Sequence, residues 1–309
     1  MRVIIFGGYG FIGSNLIELL GDNPQISHIT LPIFGDNIHI PSRIKPLIDS
    51  DKLSCTSYNP QSQESINHIL EGHDLAVNLI GIPYEYNRYA LQELGSKFFQ
   101  LPNSNSIENK RDGMRNFNFT HNKLVGLIAG ACRTARTHLI HISAQGANSK
   151  SACRYLASKG RGEEHVASLT NWTLVRPGVV LEEDALFVRK MRRLARLLPV
   201  MPLPLAKSRQ QPVTLKDLLD LLSKVIEKPM DYNQATLNSV GDKEMTMTEI
   251  IRQVANPRWI IPVPSMFNLP MALAAEMIMR NPIITRDNLR AANAYQPVTS
   301  SANPIQQNK

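Results

Sequence analysis

Tyr155 and Lys159 stand four residues apart in Arg-Tyr-Leu-Ala-Ser-Lys, so on a helix their side chains share one face. An ammonium beside a phenol favours the phenolate and lowers its pKa, which lets a tyrosine act as acid or base near neutral pH. Pairs at this spacing are common by chance. This one gains weight because it follows by 12 residues a strand candidate that ends at Ser143, whose hydroxyl could orient a substrate carbonyl.

A second group of residues is suited to phosphate. Gly7, Gly10 and Gly13, in Gly-Gly-Tyr-Gly-Phe-Ile-Gly, lie between the apolar run Val3 to Phe6 and an amphipathic stretch carrying Ile12, Leu16, Leu19 and Leu20. Glycines permit positive φ, let the backbone approach a pyrophosphate and let the helix pack close to the strand. The phosphate would meet free N–H groups at the positive end of the helix dipole, which adds Phe11 and Ile12 to the candidate cofactor contacts. Asp36 is the one acidic candidate for a ribose 2′-hydroxyl, and its distance past Pro32 places it poorly; Arg43 or Lys45 could reach a 2′-phosphate. NADP(H) is therefore slightly favoured over NAD(H). No metal site is expected, because Cys55, Cys132 and Cys153 lie far apart without Cys/His spacing.

These groups need a sheet to hold them. Strand candidates at Ile29 to Leu31, Leu53 to Cys55, Leu75 to Ile80, Leu139 to Ile142, Thr173 to Val175 and Ala235 to Val240 alternate with helical patterns at Glu64 to Leu70, Phe119 to Arg133 and Tyr155 to Ser168. Strands that are apolar throughout belong to a parallel sheet covered on both faces. The expected class is α/β, a doubly wound parallel-sheet Rossmann fold with a small C-terminal lobe. Residues 1–180 would form the dinucleotide-binding domain, completed by about 205–242; 181–204 and 243–295 would form the lobe, and 296–309 a loose tail. Four prolines in Asn256 to Pro270 predict irregular packing before a last helix around Met271 to Arg280.

With 309 residues, 43% of them hydrophobic, the chain can bury a large core. Its formal charge of +8 suits an anionic cofactor, an acidic protein or an anionic membrane, and without a nucleic-acid-binding signature nucleic acid is not expected. The start runs straight into a strand, which leaves no room for a leader, and Glu276 interrupts the longest apolar stretch, Leu269 to Met279. A cytoplasmic location follows as the expectation, with peripheral association at the inner membrane left open.

The ordered set Gly-Gly-Tyr-Gly-Phe-Ile-Gly, Asn78-Leu-Ile-Gly81, His141-Ile-Ser-Ala144, Arg154 to Lys159, Arg176-Pro-Gly178, Gln211-Pro-Val213 and Ile284-Thr-Arg-Asp287 resembles the short-chain dehydrogenase/reductase superfamily. It is more similar to the atypical, NAD-dependent epimerase/dehydratase-like branch that includes the Rossmann-fold accessory subunit of respiratory complex I and its bacterial relatives. The resemblance implies that Gly7, Gly10 and Gly13 hold the pyrophosphate, that Gly81 lies beside the cofactor and that Lys159 holds the nicotinamide ribose. Asn59 and Pro177 complete the candidate cofactor set. Ala144 and Gln145 stand where active relatives often place a catalytic hydroxyl, and in the complex I subunit the cofactor is thought to serve structure more than turnover.

Residues 84–115 read as an insertion, either a lid or docking loop or a tolerated surface excursion. Arg189, Arg192, Arg193 and Arg196 form one stripe of an amphipathic helix whose other stripe holds Val188, Met191, Leu194, Ala195 and Leu198. That basic face is either solvated or made for an acidic partner or anionic lipid surface. Three functions remain open: a cofactor-holding scaffold near a respiratory or membrane-associated assembly, an oxidoreductase or epimerase using Tyr155, Lys159 and Ser143, and an NADP(H) redox sensor.

Overall fold

The computed structural model describes residues 1–35, 40–83, 85, 114, 116–278, 282 and 284–300. Seven parallel strands form the central sheet in the order β11-β6-β5-β4-β1-β2-β3. In chain order these are β1 (Arg2–Phe6), β2 (His28–Ile33), β3 (Leu53–Ser57), β4 (Leu75–Asn78), β5 (His138–Ile142), β6 (Trp172–Pro177) and β11 (Ala235–Ser239). The order turns outward in both directions from β1 and β4, so the carboxyl ends of these two strands open a crevice at the switch point.

Both faces of the sheet are covered. Helices α1 (Phe11–Gly21) and α7 (Leu215–Glu227) lie on one side, where Leu16, Leu20, Leu218 and Leu222 pack on Val3, Ile5, Ile140 and Val175. Helices α3 (Gln63–Leu70) and α4 (Leu124–Ala135) cover the other, with Ile66 and Ile128 against Ile4, Phe6, Ala76 and Leu139. Alternate residues of β1 thus enter opposite cores, which is why no polar residue interrupts Val3 to Phe6. Each such side chain contributes about 1.5–3 kcal/mol through burial. A short α2 (Lys45–Asp49) precedes β3, and α5 (Arg154–Ala167) connects β5 to β6.

The lobe gathers α6 (Leu186–Leu197), β8 (Val200–Leu203), α8 (Met247–Ala255) and β13 (Trp259–Pro262) around Met191, Met201, Leu203, Ala206 and Ile251. Short pieces β7 (Val180–Leu181) and β10 (Val213–Thr214), and β9 (Arg209–Gln210) and β12 (Met245–Thr246), pair beside it. The chain then forms α9 (Ser265–Ile278) and α10 (Arg286–Ala294). Irregular packing over Asn256 to Pro270 is corrected. β13 finds a parallel partner in β8, and α9 starts at Ser265 and runs through Pro270, whose ring removes one donor on an exposed helix where solvent can satisfy the freed carbonyl.

The β8–β13 ribbon is apolar on both faces. Met201 and Ile260 turn into the lobe core, whereas Val200, Trp259 and Ile261 face outward, Trp259 at 63% exposure. Met266, Phe267, Leu269, Leu273 and Met277 of α9 are also exposed. Arg189, Arg193 and Arg196 are exposed on α6, but Arg192 is tied inward, donating to the Val254 carbonyl at 2.7 Å and to Glu183 at 2.9 Å. No helix among the described residues is long and apolar enough to cross a membrane. Of the tail, residues 296–300 are described and are held rather than loose: the Val298 N–H donates to Gln211 Oε1 at 2.8 Å.

Candidate functional site

The glycine turn leaves β1 with Gly7 at φ +80°, a left-handed conformation that favours glycine. Gly10 N–H returns to the Gly7 carbonyl at 3.0 Å, and the first intrahelical bond of α1 runs from Ser14 N–H to the Gly10 carbonyl at 2.9 Å. The amides of Phe11, Ile12 and Gly13 precede that bond, and no side chain caps them. A Cβ on Gly13 would stand 2.5 Å from the Gly7 carbonyl oxygen and the Gly8 Cα; one on Gly10 would meet only the Gly7 oxygen, at 3.1 Å. The turn is closed on the protein side at Gly13 and open at Gly10, above three amides that find no partner among the described residues. That is the cradle a pyrophosphate requires.

At the end of β4, Asn78 Nδ2 donates to His141 Nδ1 at 3.1 Å, and its Oδ1 accepts from the Ile80 amide at 3.1 Å. Gly81 follows, and a Cβ there would lie 3.2 Å from Lys159 Nζ. Lys159, 4% exposed, donates to the Ile142 carbonyl at 3.0 Å. Burial draws its pKa down to about 8, partly offset by Glu163. The lysine therefore joins the end of β5 to the chain leaving β4. Two residues of α5 next to it are glycines in direct backbone contact: a Cβ on Gly160 would strike the Ser149 nitrogen at 2.2 Å, and one on Gly162 the His121 carbonyl oxygen at 2.2 Å.

Tyr155, one turn before Lys159, is half-buried, with its ring edge-on to Phe117 at 5.7 Å and to His121 at 5.5 Å. Burial pushes its phenol up to about 12, with a smaller contribution from Cys153. The phenol is thus raised, where the lysine pairing alone predicts a lowered one, because burial is the larger effect.

His121 carried no signal in the amino-acid pattern. It lies on a π-helical turn, Phe119–Lys123, that widens the start of α4, whereas the pattern predicted one regular helix. Such turns often carry functional side chains. His121 Nε2 accepts from the Ile82 amide at 3.0 Å, so Nδ1 bears the proton and donates to Ser158 Oγ at 2.9 Å; Ser158 donates to the Tyr155 carbonyl at 2.7 Å. Burial first, then Lys159 and His141, draw the His121 pKa down to about 2. His141, fully buried and also beside Lys159, is lowered well below the usual range, and its Nε2 has no hydrogen-bond partner among the described residues. Ser143 Oγ, in a residue 3% exposed, also lacks a partner among the described residues. Unused buried polar atoms at the carboxyl end of β5 fit a site that receives a polar ligand.

Gly7, Gly10 and Gly13 end β1, Gly81 follows β4, Ser143 follows β5 and Pro177 ends β6, with Tyr155 and Lys159 over them on α5. Asn59 stands apart. It follows the edge strand β3, is exposed, and its Oδ1 accepts from the Gln61 amide at 3.0 Å. Arg43 bonds to Asn15 and lies 3.7 Å from Glu18 and 3.8 Å from Asp184, while Lys45 is exposed. Asp36 and nearly all of the 84–115 insertion lie outside the described residues; Glu85, within it, pairs with Arg154 at 2.7 Å.

No protein-family model matches the chain. It is similar to the mitochondrial NADH dehydrogenase (ubiquinone) 1 alpha subcomplex subunit 9 of Dictyostelium discoideum, at 21% identity over 96% of this chain and 77% of that one. The Rattus norvegicus subunit of the same name is 21% identical over 84% of this chain and 62% of its own length, so the chain spans about three fifths of that relative. The NADH-ubiquinone oxidoreductase 40 kDa subunit of Neurospora crassa is 23% identical over 92% of this chain and 68% of that subunit. Among solved structures, UDP-glucuronic acid 4-epimerase from Bacillus cereus, in complex with UDP-glucuronic acid and NAD, superposes with TM-score 0.62 at 15% identity, covering 99% of this chain and 97% of that one. The dTDP-4-dehydrorhamnose reductase of Bacillus anthracis, in complex with NADP, gives TM-score 0.58 at 15% identity over 99% and 97%. Over most of its length, then, this chain is similar to the alpha subcomplex subunit 9 of mitochondrial NADH dehydrogenase and has the Rossmann fold of the short-chain dehydrogenase/reductase-type epimerases and reductases.

Proposed function

We propose that this protein holds a nicotinamide dinucleotide as a structural group, NADP(H) in preference to NAD(H), within or beside a respiratory or other membrane-associated assembly. The observation that carries the reading is the uncapped glycine turn, with Lys159 and Gly81 at the neighbouring strand ends. Phe11, Ile12 and Gly13 amides would hold the pyrophosphate, and Lys159 the nicotinamide ribose. The scaffold role is favoured over turnover because Ala144 and Gln145 stand where a catalytic hydroxyl is common. Identifying the nucleotide that co-purifies, with its redox state, tests the reading, and NADP(H) is the expected result. NADPH should also bind more tightly than NADH at one ionic strength, since Arg43 and Lys45 follow β2; equal or reversed dissociation constants overturn the preference.

A second reading, an active oxidoreductase or epimerase, is favoured by one observation: the buried Ser143 hydroxyl, just after β5, has no partner among the described residues. A bound nicotinamide supplies hydride transfer in such a reaction. Ser143 would then orient a carbonyl and Tyr155 would hold the proton to be transferred.

The docking side is the lobe. Its outward ribbon and α9 each expose apolar side chains, and α6 exposes a basic stripe. Together they suit an acidic protein face or an anionic bilayer. The protein should float with vesicles containing anionic phospholipid, and Trp259→Ser combined with Arg193→Glu should reduce the floating fraction severalfold. Flotation unchanged by these substitutions would remove this face as the docking side.

A further inference from the structure

After the lobe, the C-terminal segment returns to the carboxyl edge of the sheet. α10 sets Asp287 against the N-terminus of α5, where Oδ1 accepts from the Arg154 amide at 3.2 Å and Oδ2 from the Tyr155 amide at 3.3 Å. A carboxylate 132 residues away in sequence thereby caps the helix that bears Tyr155 and Lys159. Ala291 packs on the small cluster of Ala144, Cys153 and Leu156.

The next contacts lie farther along the same edge. The Gln296 carbonyl accepts from Gln145 Nε2 at 3.2 Å, and Gln145 Nε2 also donates to Gln211 Oε1 at 3.0 Å. Gln211, 6% exposed, clasps Val298 at two points: Nε2 donates to the Val298 carbonyl at 2.8 Å, and Oε1 accepts the Val298 amide at 2.8 Å. Tyr295 donates to Glu244 at 3.0 Å. Gln145 is itself fixed, its amide on the Pro177 carbonyl at 3.1 Å, and the Gln211 carbonyl oxygen lies 2.1 Å from where a Gly178 Cβ would stand. The clasp therefore sits directly beyond Ser143 and Pro177, at the ends of β5 and β6. A dinucleotide whose pyrophosphate lies on the β1 turn has its nicotinamide half toward those strand ends.

We propose that residues 284–298 are a strap that closes the nicotinamide end of the cleft, that Asp287 and Gln211 are the positioning residues that hold it, and that it must lift before a dinucleotide enters or leaves. The inference rests on the dinucleotide reading and gives it a kinetic form: the nucleotide is retained by slow release. Between its clasps the strap is largely exposed and anchored by a few hydrogen bonds, so it can open without unfolding the sheet.

The test loads the full chain with NADPH and follows the loss of its fluorescence on mixing with excess NADP. Asp287→Ala and Gln211→Leu, made separately, should each release NADPH about tenfold faster, as expected when bonds closing over a ligand are lost. Asp287→Asn, which keeps one acceptor, should fall between. Amides of 287–298 should exchange hydrogen more slowly once NADPH is bound. NADPH binding with release unchanged in both variants and no added protection overturns the strap alone. Failure of the parent protein to bind NADPH overturns the dinucleotide reading and the strap with it.

Discussion

The Gly10→Val variant is expected to fold and to bind a nicotinamide dinucleotide far more weakly than the parent. Gly10 has φ −75° and ψ 177°, extended backbone that any residue adopts, and a Cβ there meets only the Gly7 carbonyl oxygen at 3.1 Å. The added methyls therefore project into the open side of the turn, over the amides of Phe11, Ile12 and Gly13. Losing one or two charge-assisted amide–phosphate bonds, at about 1.5–3 kcal/mol each, weakens binding by at least about tenfold and, if two are lost, about a hundredfold or more. Gly13→Val behaves differently: its Cβ would lie 2.5 Å from backbone on the protein side, so the variant loses stability before any ligand is added, by at least the roughly 1–3 kcal/mol of an overpacked site. Thermal melts without nucleotide separate the two, and titration with NADPH completes the comparison. Parent-like affinity in Gly10→Val would remove the turn from the binding site.

Tyr155→Phe and Lys159→Met should part company just as clearly. In a scaffold, removing the phenol hydroxyl leaves nucleotide affinity nearly unchanged, because Lys159 is fixed by the Ile142 carbonyl and not by the tyrosine. Lys159→Met loosens the nucleotide, and the ligand-induced rise in melting temperature shrinks with it; at a ligand concentration of 100 Kd that rise reflects about 2.7 kcal/mol. The pH dependence has a definite sign. Burial holds the free protein's Lys159 at about 8, and a ligand held by the ammonium prefers the protonated form. Affinity is then flat below pH 8 and falls above it, a fall that Lys159→Met lacks. An NADPH oxidation rate with a carbonyl substrate that drops roughly 10²–10⁴-fold in Tyr155→Phe would replace the scaffold with an enzyme.

The parts of this molecule legible in the sequence are those fixed by neighbours along the chain. Val3 to Phe6 followed by the glycine turn and a 3.6-residue pattern could form little but strand, turn and helix, and Tyr155 and Lys159 fall on α5 as their spacing requires. Features set by distant partners were hidden. β13 exists because β8 pairs with it, and Asp287 caps a helix that begins 133 residues earlier. The π-helical turn at Phe119–Lys123 carries His121 into contacts with Ile82 and Ser158, which no local periodicity reports. Asn59 shows the opposite case: its Oδ1 closes a local turn by accepting from the Gln61 amide, a bond that neighbours along the chain suffice to explain.

The glycine contacts of α5 set how this site withstands change. Each interior helical glycine costs about 1 kcal/mol relative to alanine, and Gly160 and Gly162 bring the helix backbone onto the backbone of residues 148–149 on one flank and of His121 on the other. Lys159 adjoins Gly160, so the ammonium is located by main chain wedged between main chain. Substitutions in the surrounding apolar core can enlarge or shrink side chains and alter stability while the lysine keeps its reach to the Ile142 carbonyl. The site is robust to drift in the core and brittle at two positions, where a single methyl group would prise the helix from its seat.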